Sequence, residues 1–249
     1  MAGNNQQHQL TAVCGCASCA ATGAGDIVPS RRRVLQAGLA VAGLATLGSS
    51  AMPRGAWAQS TLAPDQALAQ LLAGNERFVA KKMTSFDEDL AILKQNTASK
   101  QEPFAAVLSC ADSRVPVELV FDQSIGHVFV TRVAGNVATV EMIASLEYGA
   151  AVLGTKAILV MGHSNCGAVK ATIDGKAVPG QISALYAPLR PAVDAAGPDL
   201  TAAIKANAKI QAELLSHASP VLAGLIKEKK LVIAAGYYDL ASGKVEQLG

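Results

Sequence analysis

Two cysteines and one histidine carry the plainest chemistry in this chain. Cys110 closes the run Phe104-Ala105-Ala106-Val107-Leu108-Ser109, while His163 and Cys166 follow Lys156-Ala157-Ile158-Leu159-Val160-Met161-Gly162. Both runs are short and apolar, the pattern of strands buried on both faces. In an open α/β sheet the loops at the carboxyl ends of parallel strands converge on one crevice, so groups 53 positions apart can share a site. Two thiolates and one imidazole make a three-ligand zinc set that leaves the fourth tetrahedral position to water, as a catalytic zinc requires. One zinc ion per chain is expected.

The elements that must position these groups alternate between strand and helix. Leu62 to Ala80 has apolar residues at helical spacing (Leu68, Leu71, Leu72, Phe78), and a shorter helix is expected around Asp87 to Gln95. After the first strand come a helical piece near Val117 to Phe121, a strand over His127 to Arg132, a helix over Val140 to Leu153 and the second metal-loop strand. Gln181 to Ala195 and Asp199 to Ser216 read as helices interrupted at Pro188, Pro191 and Pro198. Leu231 to Tyr237 and Lys244 to Leu248 read as strands joined by a turn. The fold class expected is α/β: a mostly parallel sheet flanked by helices, with an N-terminal helical arm.

Residues 1–58 read as a leader rather than as part of the working domain. Ser30-Arg31-Arg32-Arg33-Val34-Leu35-Gln36 precedes a mildly apolar stretch from Ala37 to Leu47 and the small residues of Ala56-Trp57-Ala58. This is the pattern of a twin-arginine export signal, and the stretch falls short of the roughly 20 residues of a membrane span. Cleavage after Ala58 would leave residues 59–249 as one domain, periplasmic or secreted, with no stable membrane insertion. The alternative is an uncleaved tail or short anchor. Four of the 21 basic residues and one of the 19 acidic ones lie in the leader, so the remainder carries a formal charge of −1. That balance gives no support for a nucleic-acid or anionic-membrane partner. Cys14, Cys16 and Cys19 also fall in the leader, where their spacing would allow a metal without a fold to fix its geometry. Only Cys110 and Cys166 remain in the mature part, so a disulfide scaffold is excluded and a single Cys110–Cys166 bridge is the alternative to a metal pair.

Five segments, in this order and spacing, resemble the β-class carbonic anhydrases. They are Leu71-Leu72-Ala73-Gly74-Asn75-Glu76-Arg77-Phe78, Cys110-Ala111-Asp112-Ser113-Arg114-Val115-Pro116, Arg132-Val133-Ala134-Gly135-Asn136, Ser145-Leu146-Glu147-Tyr148-Gly149 and Gly162-His163-Ser164-Asn165-Cys166-Gly167. The resemblance implies reversible hydration of carbon dioxide to bicarbonate and a proton by zinc-bound hydroxide, with Cys110, His163 and Cys166 as ligands. It implies an aspartate–arginine dyad of Asp112 and Arg114, whose alternative is a structural ion pair. It assigns substrate binding to Gln101, Phe129 and Tyr148, the tyrosine often coming from a neighbouring subunit; core packing is the alternative for the two aromatics. It implies a homodimer or homotetramer, with Leu62 to Ala80 as the exchanged arm.

Related enzymes with the same zinc set hydrolyse carbonyl sulfide or carbon disulfide, and pocket width would separate those activities. A zinc-binding interaction protein without turnover is the reading from another class, and the open fourth position argues against it. Some relatives shut off at lower pH when bicarbonate fills a pocket that uses a tryptophan three residues before the first zinc cysteine. Val107 stands there in this chain, and Gln101 suits the always-open subgroup. His127 and His217 read as exposed or helix-end residues, and neither is assigned as a proton shuttle.

Overall fold

The computed structural model describes residues 60–85 and 90–249. The leader, its arginines, the Ala58 cleavage point and Cys14, Cys16 and Cys19 lie outside the described residues. Two helices, α1 (Pro64–Val79) and α2 (Leu90–Thr97), precede a sheet built from β1 (Ala105–Ser109), β2 (Val128–Arg132), β3 (Ala157–His163), β4 (Val232–Tyr238) and β5 (Val245–Leu248). Its spatial order is β2-β1-β3-β4-β5, parallel throughout except for the antiparallel β4–β5 pair. The short turn after Asp239 joins that last pair, which is why it alone can be antiparallel.

Every residue of β1 and β3 is buried, because helices cover both faces. On one face Ala105, Val107, Leu159 and Met161 pack with Leu68 and Leu71 of α1 and with Val117, Val120 and Phe121 in and beside α3 (Val117–Val120). On the other face Ala106, Leu108, Ile158 and Val160 meet Leu146 of α4 (Val140–Glu147), Ala208, Ala212 and Leu215 of α7 (Leu200–Ala218), and Leu222 of α8 (Pro220–Lys227). Alternation along each strand thus sorts one apolar run into two cores, each large side chain contributing about 2 kcal/mol of burial. A third cluster holds Cys110 and Cys166 among Val137, Leu189, Val193 and Ile204. Its helices are α5 (Gly167–Asp174), α6 (Tyr186–Ala196) and, through Ile204, α7.

The expected arm is a helix seated on its own chain. Asn75 donates to the carbonyls of Val120 (3.0 Å) and Gly243 (2.8 Å) and accepts from the Val245 N–H (2.7 Å), tying α1 to α3 and to the β4–β5 turn. Arg77 pairs with the fully buried carboxylate of Asp122, which also accepts the backbone N–H groups of Thr84 and Ser85.

Other expectations shift for local reasons. The helix expected to end at Leu153 is α-helical to Glu147 and continues as a π-turn over Tyr148–Val152. Pro188 and Pro191 do not interrupt α6 but lie within it. Pro188 stands in the first turn, where a missing N–H costs nothing, and Pro191 forgoes one hydrogen bond that packing on α7 offsets. Two helices went unread in the sequence. α5 is short and carries no side-chain cap, and α8 is announced only by Ser219-Pro220. Ser219 accepts from the Leu222 N–H (3.0 Å) as its N-cap, with proline at the first helical position.

Candidate metal centre and its relatives

The parallel register delivers the three ligands to one place. Ser109 of β1 pairs with Met161 of β3, so Cys110 and His163 leave adjacent strands at the same edge of the sheet. Gly162 allows this edge to close: a Cβ there would lie 2.8 Å from Ile204 Cγ2, so any side chain would push α7 off β3. Asn165 then turns the chain with φ 56°, a left-handed conformation that asparagine tolerates, and Cys166 follows as the N-cap residue of α5. The thiols and the imidazole bring their ligand atoms within 4.8 Å of one another, all three residues buried. Cys110 and Cys166 are both free thiols, so the bridge considered as an alternative does not form.

The state of the donor atoms fits a metal. His163 Nδ1 lies 3.0 Å from the Ser164 carbonyl, which can only accept, so the ring proton belongs on Nδ1. Nε2 is left with its lone pair, buried and without a hydrogen-bond partner. A hydrogen bond from Cys166 draws the Cys110 thiol well down from its ordinary value, helped against burial by the Gly135 N–H. The same bond and burial push Cys166 up. Two buried free thiols thus stand beside an unpartnered imidazole nitrogen, an arrangement that a divalent soft-ligand cation completes.

Asp112 and Arg114 form the expected pair beside it. Arg114 donates through Nε to Oδ1 (2.9 Å) and through Nη2 to Oδ2 (2.7 Å), and its own backbone N–H adds a bond to Oδ1 (2.9 Å). The Arg114 guanidinium holds the Asp112 carboxyl well below the usual carboxylate range. Oδ2 of Asp112 stands 3.9 Å from His163 Nε2, and the aspartate side chain keeps 18% of its surface exposed. The carboxylate therefore reaches the ligand cluster from the solvent side.

The carbonic anhydrase family profile matches residues 105–245, more than half of the chain, and includes every one of these groups. The chain belongs to the β-carbonic anhydrase family. It is 32% identical to a carbonic anhydrase of Mycolicibacterium smegmatis over 193 residues, covering 74% of this chain and 92% of that protein. It is 41% identical to carbonic anhydrase 2 of Mycobacterium tuberculosis over 110 residues, 44% of this chain, and there spans only about half (53%) of the relative's length. The fold matches the crystal structure of the β-carbonic anhydrase CafA of Aspergillus fumigatus with a TM-score of 0.60 at 25% identity, over 73% of this chain and 90% of that one.

The remaining residues expected in the site do not join the cluster within one chain. Gln101 is exposed and precedes β1, whereas Cys110 follows it, so the two lie beyond opposite ends of a strand roughly 16 Å long. Phe129 on β2 pairs in register with Ala106, four residues short of Cys110, and its ring centroid lies 6.4 Å from that of Tyr148. Gly149 permits this approach, a Cβ there falling 3.2 Å from Phe129 Cδ1. Tyr148 is 46% exposed, so full burial in a core is not its environment. His127 and His217 are both exposed.

Three site-supporting residues were not assigned from the sequence. Arg132 donates through Nε to the Cys110 carbonyl (3.0 Å) and through Nη2 to the Asp112 carbonyl, bracing the loop between ligand and dyad. Gly135, at φ 77°, donates its N–H to Cys110 Sγ (3.3 Å). Asn207 donates to the Gly135 carbonyl (2.8 Å). Arg132 and Gly135 belong to the stretch Arg132-Val133-Ala134-Gly135-Asn136, where an arginine and a glycine flanking a strand end are the available signal. Asn207 had none beyond being an amide on the buried face of a helix.

Proposed function

We propose that this chain catalyses the reversible hydration of carbon dioxide to bicarbonate and a proton, with one zinc ion held by Cys110, His163 and Cys166. The observation that carries the reading is the clamped Asp112 carboxylate 3.9 Å from the unpartnered His163 Nε2. A purely structural site would close with a fourth protein ligand, and no fourth Cys or His joins the cluster among the described residues. Zinc supplies a Lewis acid that lets water give up its proton near neutral pH. Arg114 keeps Asp112 anionic, so that its oxygens only accept hydrogen bonds. Asp112 thereby orients the attacking water with a lone pair directed at the carbon of the substrate. Burial of the thiols and of His163 excludes bulk water from behind the ligands.

The working form in this proposal is a homodimer or homotetramer in which Gln101, Phe129 and Tyr148 of one copy complete the site of another. Their separation from Cys110 within a chain supports this, as do the exposed apolar residues Val140, Tyr148 and Val152 on one stretch. Residues 1–58 serve as a twin-arginine leader, residues 59–249 are the enzyme, and the compartment is periplasmic or external. None of the described helices is long and apolar enough to cross a membrane.

The deciding experiment is a stopped-flow carbon dioxide hydration assay on zinc-loaded protein. Turnover well above the buffer rate, abolished by metal removal and restored by zinc, is expected. A folded, zinc-loaded and inactive chain would overturn the reading.

A further inference from the structure

Behind Cys110, two buried amides of α7 close a loop. Asn207 is fully buried and Gln211 is 2% exposed, one helical turn apart on the face that meets the residues 133–138 loop. The Ala138 N–H donates to Gln211 Oε1 (2.8 Å), Gln211 Nε2 donates to Asn207 Oδ1 (3.2 Å), and Asn207 Nδ2 donates to the Gly135 carbonyl (2.8 Å). The chain of amides starts and ends on the same loop, and Gly135 then donates its N–H to Cys110 Sγ. We propose that Asn207, backed by Gln211, is a positioning residue for the zinc thiolate: it holds Gly135 so that its N–H points at Cys110 Sγ and moderates the electron donation of that sulfur.

The physical need is specific to this glycine. With no side chain and φ 77°, Gly135 has more conformational freedom than any other residue type, and the direction of its N–H has to be imposed from outside. Leu189 and Ala168 wall one side, 3.1 and 3.3 Å from where a Cβ would stand, and Asn207 fixes the carbonyl on the other. Amides aligned head to tail in a dry core polarise one another, strengthening the last bond of the row. Hydrogen bonds to ligating atoms commonly govern metal affinity. A leucine in place of Asn207 is close in size but would leave the Gly135 carbonyl unmet.

This inference rests on zinc binding by Cys110, and its test does not read turnover. Asn207→Leu in the full chain should weaken zinc binding about 10- to 100-fold in chelator competition, because the loss of a held ligand geometry outweighs the stronger donation of the freed sulfur. In the cobalt-substituted protein the thiolate-to-metal charge-transfer band should move to longer wavelength, because a sulfur that accepts no hydrogen bond donates more strongly. Gln211→Leu should give the same shifts, smaller. A folded Asn207→Leu protein with lower thermal stability but unchanged zinc affinity and an unmoved band would make the amides merely structural. Should that variant not fold, wild-type protein loaded with cadmium-113 decides: scalar coupling between the Gly135 amide proton and the metal supports the proposal, and its absence overturns it. Failure of the underlying reading shows differently, since the wild-type chain would then take up no zinc or cobalt.

Discussion

Asp112 Oδ2 stands 3.9 Å from His163 Nε2, although the two residues leave different strands and are 51 positions apart. Arg114 spends both of its forked contacts on that carboxylate and reaches the Asn165 carbonyl (3.4 Å) as well, so the dyad is braced against both loops of the site. Ligand set and dyad are therefore one mechanical unit, and their substitutions should separate cleanly by what they abolish.

Cys166→Ser should remove zinc. Serine is a poor zinc ligand at neutral pH, and Cys166 is the only ligand held at a helix N-terminus. Affinity should fall beyond the roughly 100-fold that loss of a supporting hydrogen bond costs, with activity falling in step. Metal content by elemental analysis, set beside hydration rates, checks this.

Asp112→Asn keeps the size of the side chain and removes the charge that Arg114 grips. It also offers an N–H where an acceptor is needed. Turnover should drop by about 100-fold or more while zinc content stays near one per chain. Parallel loss of zinc would instead make Asp112 a support for the ligands.

Asp122 makes the strongest claim on stability away from the site. Its burial alone would raise the carboxyl, but the N–H groups of Ser85 and Thr84 and the Arg77 guanidinium outweigh it and bring it from 3.8 down to about 2. Because the folded value is the lower one, the stabilisation is fully present above about pH 4 and is lost as pH falls toward about 2. Asp122→Ala should lower unfolding free energy by about 3 kcal/mol near neutral pH. Urea melts of both proteins should converge across that acidic window.

Bicarbonate should not act as a cooperative inhibitor. Val107, at the position where closing relatives use a tryptophan, is wholly buried between the sheet and its helical cover and has no side-chain donor. Hydration rates should therefore rise smoothly into mildly alkaline pH at every bicarbonate concentration. A steep, bicarbonate-dependent collapse below neutral pH would show that the dyad opens after all.

Replacing Arg31, Arg32 and Arg33 with lysine preserves charge and removes the guanidinium pattern. Full-length precursor should accumulate in the cytoplasm, seen by fractionation and immunoblotting. Mature protein reaching the outside at its normal level would point to another export route.

The Cys–His–Cys set, the Asp112–Arg114 pair and the positions of the strands along the chain were legible in the sequence because each is a local pattern. A short apolar run ending in Cys110 or His163 states both a buried strand and a loop at its carboxyl end, and Asp112 lies close enough in sequence to Arg114 for their pairing to need no knowledge of the fold. Long-range geometry was not legible. Nothing in spacing shows that Gln101 and Cys110 fall beyond opposite ends of β1, since nine residues can turn back as readily as run straight; only the extended strand between them decides it. Nor does an asparagine on a helix announce a partner 72 positions away, because burial and the Gly135 carbonyl arrive together only when α7 packs across the sheet. Local patterns thus picked out the Cys–His–Cys set and the Asp112–Arg114 pair, and tertiary packing decided which residues meet and what holds them in place.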